Sequence, residues 1–129
     1  MNILIVDDQP NVVKALARVL RKPGIHITGV DSAEKALSKM LKEDYDMVIS
    51  DLKMPVMDGI DFLSVVSELY PAVKQILLSG HAGPKELKNA INQCSIEQFI
   101  SKPWSVEEMQ SIVWQEQDAK IVILSLIHI

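Results

Sequence analysis

The chain has 129 residues, enough for one compact domain and too few for two. Hydrophobic residues make up 48% of it and aromatics only 5%, so aliphatic side chains must fill most of the core. The net charge of −4 argues against direct nucleic-acid binding, and the single Cys94 excludes both an internal disulfide and the usual zinc spacings.

The first residues, Met1-Asn-Ile-Leu-Ile-Val6, form a short apolar run that meets Asp7-Asp8 at once, without the basic flank and cleavage site of a secretory signal. No apolar run reaches the roughly 20 residues that span a bilayer, so the expected compartment is the cytoplasm, with no membrane partner. Asn11 to Arg21 carries Val12, Ala15, Leu16, Val19 and Leu20 at helical spacing, and Pro23-Gly24 ends it. Ile25 to Val30 reads as a second strand. Asp31 or Ser32 can cap a helix from Ala33 to Lys42. Met47-Val48-Ile49 is a third strand, and Asp58-Gly59 leads into a helix of about ten residues that stops before Pro71. Ile76-Leu77-Leu78 is a fourth strand. Gly83-Pro84 opens a helix to about Gln93. Gln98-Phe99-Ile100 is a fifth strand, and the capping box Ser105-Val106-Glu107-Glu108 starts a last helix.

Five strand–helix units in strict alternation imply a parallel sheet with helices on both faces. The expected fold is therefore α/β and flavodoxin-like: a doubly wound five-stranded parallel sheet of order 2-1-3-4-5 with five helices. In such a sheet ligands bind outside the carboxyl ends of the strands. Those ends carry Asp7-Asp8, Ser50-Asp51, Ser79-Gly80 and Ser101-Lys102-Pro103. Three carboxylates, a hydroxyl and an ammonium thus converge on one edge.

Three acids in one crevice repel one another, and a hard divalent cation relieves the repulsion. Oxygen donors suit Mg²⁺, with Mn²⁺ as the alternative. Lys102 adds a second positive charge. Cations bracketing a carboxylate favour an incoming phosphoryl group, and a carboxylate can itself be the nucleophile. Asp51, at the end of the central run, is best placed for that role.

Four blocks carry a resemblance: Asp7-Asp8, Asp51-Leu-Lys-Met-Pro-Val-Met-Asp-Gly59, Leu78-Ser-Gly-His-Ala82 and Phe99-Ile-Ser-Lys-Pro-Trp104. In order and in register, they resemble the signature of the response-regulator receiver domains of two-component signalling. The resemblance implies that Asp51 accepts a phosphoryl group from the phosphohistidine of a sensor histidine kinase or phosphotransfer protein. It implies that Asp8 and Asp51 ligate Mg²⁺, Asp7 through water, and Lys53 through its backbone carbonyl. It gives Ser79 and Lys102 to the bound phosphoryl group and makes Ser79 and Phe99 the switch pair. It also implies a cis peptide between Lys102 and Pro103. His81 and the Lys53 side chain are candidate modulators of the phosphorylated state. The switching surface would be the fourth helix, fifth strand and fifth helix, which could also form a homodimer.

Residues 90–104 are similar to receivers found ahead of HD-GYP phosphodiesterase domains and of some hydrogenase-gene activators, which implies a lost C-terminal output domain. The receiver is expected over residues 1–119. Lys120 to Ile129 is strongly apolar, and Leu124-Ser-Leu-Ile-His-Ile129 also matches the in-frame translation of a common transposon-based sequencing adaptor. The expectation is that this tail is not native. A phosphatase acting on outside substrates would need an acid two residues after the aspartyl nucleophile, where Lys53 stands. The chain is therefore expected to be no enzyme beyond its own phosphorylation and autodephosphorylation.

Overall fold

The computed structural model describes residues 1–80 and 83–127. Strands β1 (Asn2–Val6), β2 (His26–Val30), β3 (Met47–Asp51), β4 (Lys74–Ser79) and β5 (Ile96–Ser101) alternate with helices α1 (Pro10–Leu20), α2 (Ala33–Lys42), α3 (Gly59–Leu69), α4 (Pro84–Gln93) and α5 (Val106–Ile127). The strands form one parallel sheet in the order β2-β1-β3-β4-β5.

Side chains alternate across a strand, so each central strand feeds two cores. Ile3, Ile5, Met47, Ile49, Ile76 and Leu78 meet Leu16 and Leu20 of α1 and Met109 and Val113 of α5. Leu4, Val6, Val48 and Leu77 meet α2, α3 and α4 through Ala36, Met40, Phe62, Val66 and Ala90. Both faces are covered, which is why β1, β3 and β4 read as unbroken apolar runs. The edge strands differ: β2 and β5 are only partly buried, and their sequences are correspondingly polar.

Caps fix the entry points of three helices. Ser32 Oγ accepts the Lys35 N–H at 3.2 Å, Asp58 Oδ1 the Asp61 N–H at 2.9 Å, and Ser105 Oγ the Glu108 N–H at 3.2 Å. Each cap contributes about 1 kcal/mol. Helix α5 passes residue 119 without a break, tied by an ion pair between Lys120 and Asp46. Beyond it Ile121, Val122, Ile123, Leu124, Leu126 and Ile127 are all exposed.

Candidate functional site

Asp51 is the last residue of β3 and Ser79 the last of β4, while Asp7 and Lys102 directly follow β1 and β5. Parallel register keeps these ends level: Val6 pairs with Ser50, Asp51 with Leu78, and Ser79 with Ser101. Two backbone bonds lock the loops onto the sheet edge. The Leu52 N–H donates to the Leu78 carbonyl at 2.9 Å, and the Lys102 N–H to the Ser79 carbonyl at 2.8 Å. The Lys102–Pro103 peptide is cis.

Asp7 is fully buried, Asp51 is 8% exposed, and Asp8 faces solvent. Each of the three offers a carboxylate oxygen within 4.8 Å of the others. Asp7 Oδ1 accepts the Gln9 N–H at 2.9 Å, and Asp51 Oδ1 accepts the Leu52 N–H at 2.9 Å. Lys102 Nζ lies 3.2 Å from Asp7 Oδ2 and 3.2 Å from Asp51 Oδ1, so one ammonium joins both buried acids.

Burial, and then the charge of Asp7, push the Asp51 carboxyl above its usual range, although Lys102 and the Leu52 amide pull the other way. Burial alone would lower the Lys102 pKa, but its bond to Asp51 and the charges of Asp7 and Asp51 raise it. Lys102 is therefore a fixed cation, and Asp51 is a carboxylate short of positive charge. Among the described residues, one ammonium faces three carboxylates, which leaves about two negative charges uncompensated. That all-oxygen, net-negative donor set fits a hard divalent cation such as Mg²⁺.

Ser79 is buried beside this cluster, one strand from Asp51. Phe99, in register with Leu77 on β5, is half-buried against the core beneath α3 and α4. Lys53, two residues beyond Asp51, is exposed, and its Nζ lies 3.2 Å from Glu86 Oε1 on α4. His81 lies outside the described residues.

The family profile for the response regulator receiver domain matches residues 3–114. The chain belongs to the response-regulator receiver family. The hydrogenase transcriptional regulatory protein HoxA of Cupriavidus necator is 30% identical over 92% of this receiver, which covers 24% of that protein. The two-component response regulator ARR12 of Arabidopsis thaliana is 36% identical over 89% of it, covering 19% of ARR12. The receiver thus spans about a quarter or less of the length of these curated relatives. Among solved structures, the signal receiver domain of an HD domain-containing protein from Pseudomonas fluorescens Pf-5 superposes with a TM-score of 0.87 at 30% identity, covering 94% of this chain and 97% of that one. A hydrogenase regulator and an HD domain-containing protein are thus among its relatives.

Two further residues shape the receiver's site. A Cβ on Gly59 would stand 2.1 Å from the Asp51 carbonyl oxygen, so only glycine lets α3 start this close to the acceptor strand. The Asp58-Gly59 pair signals a turn and cap, and Asp58 does cap α3, but the approach to Asp51 depends on how the helix docks. The second is Glu86, an acid in the first turn of α4. Its pairing with Lys53 is a long-range contact that no local pattern reports.

Proposed function

We propose that Asp51 is the phosphoacceptor of this receiver. The observation that carries the reading is the Lys102 ammonium, 3.2 Å from both Asp51 and Asp7, at a cluster of three carboxylates. The donor is the phosphohistidine of a sensor histidine kinase or phosphotransfer protein. An Asp51 carboxylate oxygen attacks phosphorus, the O–P bond forms as the P–N bond breaks, and the electron pair returns to the imidazole nitrogen.

Asp8, Asp51 and the Lys53 carbonyl would hold Mg²⁺, with Asp7 acting through water and Mn²⁺ as a substitute. Bound there, the cation supplies charge neutralisation for the carboxylates and the arriving phosphoryl oxygens. Lys102 does the same from the other side and orients the acceptor carboxylate. Ser79, buried at the end of β4, donates its hydroxyl to the phosphoryl group. Its movement frees room for Phe99 to turn inward, which alters the α4–β5–α5 surface read by an output domain or partner. The protein remains a switch and turns over no outside substrate.

Incubation with Mg²⁺ and acetyl phosphate is expected to add one phosphoryl group by intact mass, and Asp51→Asn to abolish it. An undiminished yield in Asp51→Asn would end the assignment.

A further inference from the structure

The Lys53–Glu86 pair joins the loop that follows Asp51 to the first turn of α4, the helix at the head of the proposed switching surface. Lys53 stands in the loop that follows Asp51, between the buried Leu52 and Met54, and is itself exposed. Its ammonium reaches Glu86 Oε1 at 3.2 Å, with the two side chains 70% and 40% exposed. A free glutamate on a helix surface would turn both carboxylate oxygens to water. Here Glu86 Oε2 is buried and has no hydrogen-bond partner among the described residues.

From this geometry we propose that Lys53 and Glu86 form an exchangeable latch, in which Glu86 holds Lys53 on α4 until a phosphoryl group on Asp51 takes the ammonium away. The inference rests on Asp51 being the phosphoacceptor. A phosphoryl group brings close to two negative charges and three strong acceptor oxygens to the rim. A single carboxylate competes poorly with it. Lys53 then leaves Glu86, and the first turn of α4 loses its tie to the β3–α3 loop. Coupling is reciprocal: a change that frees Lys53 from Glu86 and leaves its ammonium in place also favours phosphorylation. Glu86 is thus a positioning residue that acts through Lys53, and an exposed pair of this kind supplies an effect of about two- to fivefold.

The test compares the intact chain with Glu86→Gln, Lys53→Met and the double variant, using acetyl phosphate with Mg²⁺ at low salt. Glu86→Gln should speed phosphorylation about two- to fivefold, and the gain should vanish in the Lys53→Met background. Backbone hydrogen exchange from Leu87 to Ala90 should quicken in Lys53→Met, which leaves the helix's own charges intact. The same amides should quicken in the wild-type chain on binding beryllofluoride, a phosphoryl mimic. An equal gain from Glu86→Gln in both backgrounds, no gain in either, or unchanged α4 exchange in Lys53→Met would overturn the latch. Wild-type chain that takes up no phosphate at all would instead remove the phosphoacceptor reading beneath it, so the two failures are distinguishable.

Discussion

The Lys102 ammonium stands 3.2 Å from the Asp51 carboxylate, although the two residues come from opposite halves of the chain and meet only because β3, β4 and β5 are parallel and in register. The same charge offsets Asp7, so its removal has two consequences of opposite sign. Lys102→Met is expected to tighten Mg²⁺ binding about tenfold, because a cation competing for the same carboxylates is gone. It should also slow phosphorylation by acetyl phosphate on the order of a hundredfold, because the arriving phosphoryl charge loses a partner. Calorimetric Mg²⁺ titration and intact-mass kinetics check both. Weaker metal binding together with unchanged kinetics would contradict the electrostatic account.

The raised pKa of Asp51 sets the pH dependence of the metal-free fold. Its cause is burial first and the charge of Asp7 second. The folded chain holds this proton more tightly than the unfolded chain, so the carboxyl's favourable contribution is present below the unfolded value and is lost as pH rises through the folded one. At neutral pH without metal, Asp51→Asn should therefore melt roughly 2–5 °C higher than the wild type. The gap should close as pH falls into the carboxylate range. Saturating Mg²⁺ should also narrow it, since the ion binds the native wild-type site better than the variant. Melting curves from pH 4 to pH 8, with and without Mg²⁺, supply the comparison, and a gap that widens toward acid would reverse the argument.

Gly59 links packing directly to the acceptor. A methyl group there would lie 2.1 Å from the Asp51 carbonyl oxygen and 2.9 Å from the Leu52 Cα, and backbone cannot swing aside as a side chain can. Gly59→Ala should cost about 3 kcal/mol in urea denaturation and shift β3 enough to weaken Mg²⁺ binding as well. A variant that loses less than about 0.5 kcal/mol would show that α3 can move away freely.

Much of this site could be read from strand ends. The apolar runs of β1, β3 and β4 end in Asp7, Asp51 and Ser79 because the carboxyl edge is where buried strands return to solvent, and Lys102-Pro103 marks the same edge on β5. The fold followed from the same alternation. What escaped the sequence depends on docking. The edge strands β2 and β5 are half-covered, so their patterns are mixed; strand bounds move by one or two residues in β3 and β4 as well, where polar Ser50, Asp51, Lys74 and Gln75 join the ladder. Asp7 and Asp8 lie just ahead of α1, and no pattern tells which of the two turns inward. In the fold Gln9 is the N-cap without a side-chain bond, Asp7 turns inward to Lys102, and Asp8 faces solvent. The close approach of Gly59 and the Lys53–Glu86 contact arise only once α3 and α4 are placed on the sheet.

Cys94 offers a check on the contact between α3 and α4. It ends α4, where its Sγ–H donates to the Ile60 carbonyl at 3.3 Å. Burial, and then the negative charges of Asp58 and Asp61, push its thiol up to about 11. Only the thiolate reacts with alkylating agents. At pH 8 roughly one molecule in a thousand carries it, against about one in ten for a thiol near 9. Native-state alkylation by iodoacetamide should therefore run about a hundredfold slower than for the unfolded chain, with the rate still climbing tenfold per pH unit from pH 8 to pH 10. A plateau below pH 9 would mean that the α3–α4 contact opens readily and exposes an ordinary cysteine. That outcome would also predict fast hydrogen exchange at the Ser95 amide, which donates to Ser67 Oγ at 2.9 Å across the same contact.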